Sequence, residues 1–298
     1  MTVLEVIQRS SEFLARKGVD SPRLQIELLL AHVLQMPRMR LYLSFDRPLA
    51  DRELETLRAL VKRRAGREPL QHLVGSTNFC GFEITVTRDV LIPRPETELL
   101  AERAVEFLSG AESGSGAEGG AAGAVGRRVL DFGTGSGCLA LVIAARCPAV
   151  SVCAFDRSAE ALAVARQNAI RCAVEDRIQF QRGDHLKSLL AAGESRFDLI
   201  VSNPPYIPSG EIGALQPEVR DFDPREALDG GADGLDFYRM LAEGAGAWLR
   251  PLAPLMVELG AGQAGRVTEL FQQSGWRIDR VEKDYGGHER ILIARRLD

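Results

Sequence analysis

"VLDFGTGSGCLAL", residues 129–141, decides how the second half of this chain folds. An apolar run ends at Asp131, Gly133, Gly135 and Gly137 follow, and a helical pattern begins behind them. Glycines at this spacing let the backbone turn sharply and let a ligand approach main-chain atoms that a Cβ would shield. A dinucleotide fingerprint of the G-x-G-x-x-G type calls for Gly or Ala at position 138, and Cys138 stands there instead, which disfavours NAD.

Working outward, "RVLDFG", a helix through Ala145, "VSVCAFD", "SAEALAVARQNAI", "IQFQRGD", "FDLIVSN", a helix around Tyr238 to Leu249, and "APLMVELG" alternate apolar strands with amphipathic helices. That alternation predicts an α/β fold with a doubly wound, mostly parallel sheet. The terminal "WRIDRVEKDYGGHERILIARR" reads as two strands joined at Gly286-Gly287, so an antiparallel hairpin is expected at one edge.

Upstream, the chain to residue 75 reads as helices only. Thr2 with Glu5 forms a capping box, Ser21-Pro22 an N-cap with proline at N1, and "DRELETLRALVKRRAG" stops at Gly66. The crowd of Leu24, Ile26, Leu28, Leu29, Leu30, Val33 and Leu34 exceeds one narrow stripe and predicts a largely buried helix. The expected organisation is a helical domain over 1–75, a linking β-hairpin over 76–94 carried by "NFCGFEITVTRDVLI", and a third unit over 95–298. Its first helix spans Glu96 to Leu108, and residues 109–126, nearly all Gly, Ala, Ser and Glu, form a flexible connector.

With 298 residues, 45% hydrophobic and 26% charged, the chain suits two soluble domains, and a net charge of −4 argues against coating nucleic acid. Five cysteines without a C-x-x-C pair suggest neither a disulfide framework nor a zinc site, and no metal is expected. Apolar runs fall short of the ~20 residues a membrane span needs, Arg146 interrupting the best, so the cytoplasm is the expected compartment.

The candidate site residues collect at strand ends. Asp156 closes the second strand of the series about 20 residues after the glycine loop, where a carboxylate grips a ribose diol, although ahead of Ser158 it also reads as a helix cap. "GDHL", 183–186, brings Asp184 and His185 to the same edge; taken alone, His185 is more often a loop histidine. "FDLIVSNPPY", 197–206, ends the fourth strand, which a doubly wound sheet sets beside the first, so Asn203 faces the glycine loop. An asparagine oxygen and the Pro204 carbonyl are two acceptors side by side, able to hold both hydrogens of a planar NH2 group. Tyr206 adds a flat surface for a planar amide or base. The nitrogen of such a group delocalises its lone pair and is a poor nucleophile, and fixed positioning aligns it with an electrophilic methyl.

These stretches, with "LIPRPETE" (91–98), "REPLQHLVG", "FCGFEITV", "EVRDFDPREALDGGADGLDFYRML" and "DYGGHERILIARR", resemble the PrmC/HemK family over nearly the whole chain. The resemblance implies a class I S-adenosylmethionine-dependent methyltransferase that modifies N5 of the glutamine in the GGQ motif of class 1 peptide chain release factors. It further implies that Gly133, Thr134, Gly135, Ser136 and Gly137 wrap the methionine part of S-adenosyl-L-methionine, that Asp156 binds its ribose, and that His185 lies beside the adenine, at a position often tryptophan in relatives. Asn203, Pro204, Pro205 and Tyr206 would form the catalytic glutamine site, Asn203 also touching the cofactor, with Arg94, beside Pro95 and Glu96, near the substrate. NPPY alone also occurs in adenine-N6 and other amide-directed methyltransferases. A ribosomal-protein glutamine methyltransferase and an adenine-N6 DNA methyltransferase are the alternatives among enzymes. Base flipping on DNA usually brings a basic recognition region, which this acidic chain lacks. A module that keeps the fold as scaffold only is the alternative from another class.

Overall fold

The computed structural model describes residues 1–110, 126–191 and 196–297. Most of the expected connector at 109–126 lies outside the described residues. Two compact units divide the chain: Met1–Ser76 with Leu215–Phe222, and Thr77–Ala214 with Asp223–Asp298.

The first unit is helical, built from Val3–Arg16, Pro22–Val33, Arg38–Leu41, Asp51–Ala65 and Leu70–Val74 around Ile7, Leu14, Ile26, Leu29, Leu30 and Leu57. Thr2 and Glu5 exchange both bonds of the capping box. Ser21 is the N-cap residue ahead of Pro22 as expected, although it sits in the left-handed region at φ +47° and its hydroxyl accepts no capping hydrogen bond. A short excursion, Leu215–Phe222, completes the unit with the single helical turn Pro217–Arg220. Glu218 on that turn is chelated by Arg67 at 2.7 and 2.6 Å and also bonded by buried Arg64 at 2.8 Å. Paired, hydrogen-bonded charge of this kind is the condition under which an arginine tolerates burial.

In the second unit β1 (Ser76–Phe79) and β2 (Phe82–Thr85) form a hairpin that turns on Cys80 and Gly81, both at positive φ. Past Val86 the chain runs irregularly to helix Pro95–Leu108, because Pro93 and Pro95 supply no ladder donors. The seven-stranded sheet comprises β3 (Arg127–Phe132), β4 (Val150–Asp156), β5 (Ile178–Arg182), β6 (Leu199–Ser202), β7 (Pro254–Glu258), β8 (Trp276–Lys283) and β9 (Glu289–Arg296) in the order β5-β4-β3-β6-β7-β9-β8. Strands β3 to β7 pair in parallel, and β9 runs antiparallel between β7 and the edge strand β8, as the Gly286-Gly287 turn predicts.

Alternate strand residues feed two separate cores. Val129, Val152, Leu199 and Val201 face one, with Leu100, Leu139 and Ile143; Leu130, Phe132, Phe155 and Ile200 face the other, with Tyr238, Leu241 and Phe271. A sheet buried on both faces explains why its strands read as continuous apolar runs rather than alternating ones. No helix among the described residues is long and apolar enough to cross a membrane.

Candidate active site

Strand order reverses at β3, which has β4 on one side and β6 on the other, and the crevice at such a switch point is where open sheets bind ligands. Gly133 and Thr134 both donate their N–H to Phe155 O at 2.9 Å, folding the loop against the end of β4. Beneath it, fully buried Asp131 accepts from Thr134 Oγ1 at 2.6 Å and from Ala140 N at 3.1 Å, while its Oδ1 has no hydrogen-bond partner among the described residues. Burial pushes its carboxyl up to about 7. Gly137 needs its φ of +80° to start helix Cys138–Arg146, and a Cβ there would lie 2.9 Å from Ala165 Cβ.

Asp156 joins that loop to the next helix. Its Oδ2 accepts from Gly135 N and its Oδ1 from Ser158 N, both at 2.9 Å, and burial raises its pKa against those bonds. The capping of helix Ala159–Arg171 falls to Ser158, whose Oγ accepts from Ala161 N. With backbone N–H groups on both oxygens, the Asp156 carboxylate still has lone-pair capacity for a ligand hydroxyl.

At the end of β6, the backbone of the NPPY turn is gripped by two glycines of one loop, the segment ahead of helix Asp236–Gly244. A Cβ on Gly230 would lie 2.9 Å from Pro205 O and from Tyr206 Cα, and one on Gly234 would lie 2.5 Å from Tyr206 O. Gln263 Nε2 donates to the same Tyr206 oxygen at 2.8 Å. The Tyr206 side chain packs on the core beneath, and burial pushes its hydroxyl up to about 12, so it stays protonated. Asn203 is held from the side: its Nδ2 donates to Thr97 Oγ1 at 3.0 Å, and Thr97 Oγ1 donates to Glu258 Oε2 at 2.7 Å. Glu258 is 2% exposed and burial pushes its carboxyl up to about 7.

A cleft links these parts. Its wall runs from Gly133–Ser136 through Asp156 and Asp184 to Thr97, Asn203 and Pro205. Among the described residues the wall does not include Pro204, Tyr206, Arg94 or His185. His185 is exposed, with Nδ1 3.4 Å from Met240 Sδ; Arg94 donates to buried Asp223 at 2.6 Å. Loops without Cβ atoms, a carboxylate with spare lone pairs and an oriented amide are the donor and acceptor set that an adenosyl amino-acid sulfonium needs, and the residues fit that group.

Residues 5–75 match the family described as PrmC N-terminal domain and 121–214 that described as Methyltransferase small domain. A release factor glutamine methyltransferase of Geobacter sulfurreducens is 42% identical over 99% of this chain and 96% of its own length. Those of Chlorobaculum tepidum and Moorella thermoacetica are 42% and 37% identical, over 98% and 100% of the chain and 96% and 100% of theirs. This chain belongs to the release factor glutamine methyltransferase family. In fold alone, the hMettl16 catalytic domain is similar at a TM-score of 0.53 and 16% identity over 83% of each chain.

Thr97, Glu258, Gly230 and Gly234 stand at the candidate site without having been singled out by sequence reasoning. A signal existed for the glycines, since "LDGGADG" is too glycine-rich for a plain linker. For Thr97 the signal was only its place in "LIPRPETE", where it reads as a helix residue, and Glu258 reads as the tail of an apolar strand.

Proposed function

We propose that this chain transfers a methyl group from S-adenosyl-L-methionine to the side-chain amide N5 of the glutamine in the GGQ motif of class 1 release factors. One observation carries the reading: an asparagine amide, oriented by two neighbours, opens onto the same cleft as Asp156 and the glycine loop. When bound, the cofactor supplies an electrophilic methyl on a sulfonium sulfur that is already a good leaving group, so the protein's task is positioning more than acid–base chemistry. Asp156 and the glycine loop hold the ribose and methionine portions. With Nδ2 given to Thr97, Asn203 turns Oδ1 toward the acceptor, and with the Pro204 carbonyl it accepts the two N–H bonds of the substrate amide. Held in that way, the amide cannot rotate, and its nitrogen keeps more of its lone pair. Tyr206, anchored through its backbone, fixes the turn that carries both acceptors.

His185 and Arg94 act, in this reading, at the margins: His185 beside the adenine end, Arg94 through its ion pair with Asp223 on the segment leading to the substrate loops. The helical unit serves recognition of the protein substrate, and the enzyme works in the cytoplasm without binding nucleic acid stably. Radiolabelled methyl transfer tests this directly. Label is expected in an intact release factor, in its glutamine, and not in ribosomal protein or DNA; label in DNA or ribosomal protein instead would overturn the assignment.

A further inference from the structure

We infer that Thr97 and Glu258 are positioning residues that fix which end of the Asn203 amide faces the cleft, and so decide whether that residue accepts from or donates to the substrate. The inference rests on the amide-acceptor reading above and deepens it.

Hydrogen-bond direction carries it. An ionised carboxylate only accepts, and a threonine hydroxyl has a single proton with lone pairs to spare. With Glu258 Oε2 at 2.7 Å, the one Thr97 proton is committed to that carboxylate, and Thr97 Oγ1 is left as an acceptor. Only the Nδ2 end of Asn203 can satisfy it at 3.0 Å, which sends Oδ1 to the other side of the amide. The reversed amide would set two acceptor oxygens against each other, a costly arrangement away from water. Thr97 and Glu258 are each 2% exposed, so water reaches little of either side chain.

Protonating Glu258 undoes the logic. A neutral carboxyl can donate to Thr97 Oγ1, freeing the threonine proton for Asn203 Oδ1 and allowing the amide to present its nitrogen to a substrate that also offers N–H. The charged and titratable groups acting on Glu258 come from several elements. Glu96, on the helix that carries Thr97, disfavours its charge, while Arg94 ahead of that helix and Arg290 on β9 favour it. Tyr206 and Tyr238 lie within its field, as does Cys138 at the start of its helix. Tyr238 further steadies the strand end, its hydroxyl donating to Glu258 O at 2.9 Å.

Thr97→Val, Thr97→Ser and Glu258→Gln, assayed in the full chain with release factor as acceptor, test the inference. Glu258→Gln keeps shape and adds an NH2 donor, so it permits the reversed amide without a cavity. Expected are a kcat about 10- to 100-fold lower for Thr97→Val and Glu258→Gln, a Thr97→Ser rate within about threefold of wild type, and KM moved far less than kcat. Wild-type kcat falls as pH drops below 7, and in Glu258→Gln that limb is absent. A readout independent of turnover is the side-chain amide signal of Asn203 in 15N-asparagine-labelled protein, assigned by its loss in Asn203→Ala. Its slow solvent exchange should be kept in Thr97→Ser and lost in Thr97→Val. Wild-type kcat in Thr97→Val, or equal damage from Val and Ser, overturns the inference while leaving wild-type release-factor methylation, and with it the proposed function, intact. Absence of methylation by the wild type would instead remove the proposed function itself.

Discussion

Asp156 Oδ2 accepts the Gly135 N–H at 2.9 Å, so the carboxylate that closes β4 also holds the middle of the glycine loop. The helix cap falls to Ser158, and Asp156 instead holds the glycine loop with one oxygen and the Ser158 N–H with the other. Asp156→Ala removes both anchors and a charged partner for a diol, which costs on the order of 1.5–3 kcal/mol of cofactor binding. Asp156→Asn is expected to be as harmful, since its NH2 end must face either Gly135 N–H or Ser158 N–H, donor against donor. Calorimetry with S-adenosyl-L-methionine checks both, and unchanged affinity in either would contradict the role.

Asn203→Ala should lower kcat by about 10²-fold or more, near 2.7 kcal/mol of barrier, with a much smaller change in cofactor affinity. Asn203→Asp keeps acceptor oxygens for the substrate but brings a second carboxylate to Thr97, whose single proton already serves Glu258. An intermediate rate follows. Single-turnover measurements with saturating cofactor decide the order; a near-normal alanine variant would reduce Asn203 to a turn residue.

Stability should depend on pH through the buried acids. Glu258 and Asp131 each titrate near 7 in the fold because burial disfavours their charge, against ordinary values of 4.5 and 3.8. An acid whose folded pKa is raised lends stability that is complete below the ordinary value and is lost as pH climbs through the folded one. The ligand-free protein is therefore expected to lose about 3 kcal/mol per group, at most, between pH 5 and 8. Glu258→Gln should match wild type in melting temperature at pH 5 and exceed it at pH 8. A variant that is less stable than wild type by the same margin at both pH values refutes this account.

Glu218 should matter to the helical unit although it lies more than 150 residues along the chain from its partners. Among the described residues, Glu218→Ala leaves buried Arg64 with Gln25 Oε1 and Glu68 O as its acceptors and releases Arg67 from its chelate. Losing a charged, part-buried partner costs about 1.5–3 kcal/mol. Faster hydrogen exchange across 215–222 and in Asp51–Ala65 is the expected signature. Truncation at residue 75 likewise strips 215–222 of its partners, so it is a poor test of substrate recognition on its own.

Much of the fold was legible because its signals are short-range. The apolar run that stops at Asp131, the glycines at 133, 135 and 137 and the Gly286-Gly287 turn each constrain a few neighbouring dihedrals, and they suffice for β3, its helix and the terminal hairpin. Helix Pro95–Leu108 begins one residue from the expected start, whereas the expected Tyr238–Leu249 helix is Asp236–Gly244 followed by a 3-10 turn. Ser21 holds the N-cap position ahead of Pro22, but with its backbone left-handed there its hydroxyl makes no capping bond.

What the sequence determined by itself, then, is the element order, the switch point at β3 and the residue types brought to its edge: Asp156, Asp184 and Asn203. The tertiary structure alone decided who orients them. Asn203 meets Thr97 across 106 residues, Thr97 meets Glu258 across 161, and Glu218 meets Arg64 across 154. It also set His185 and Arg94 outside the cleft wall and put Gly230 against the NPPY backbone. The physical reason is that periodicity and turn chemistry act over one or two turns of chain, while the pairing of buried polar groups depends on strand order and on distances of about 3 Å, which exist only after the sheet has assembled.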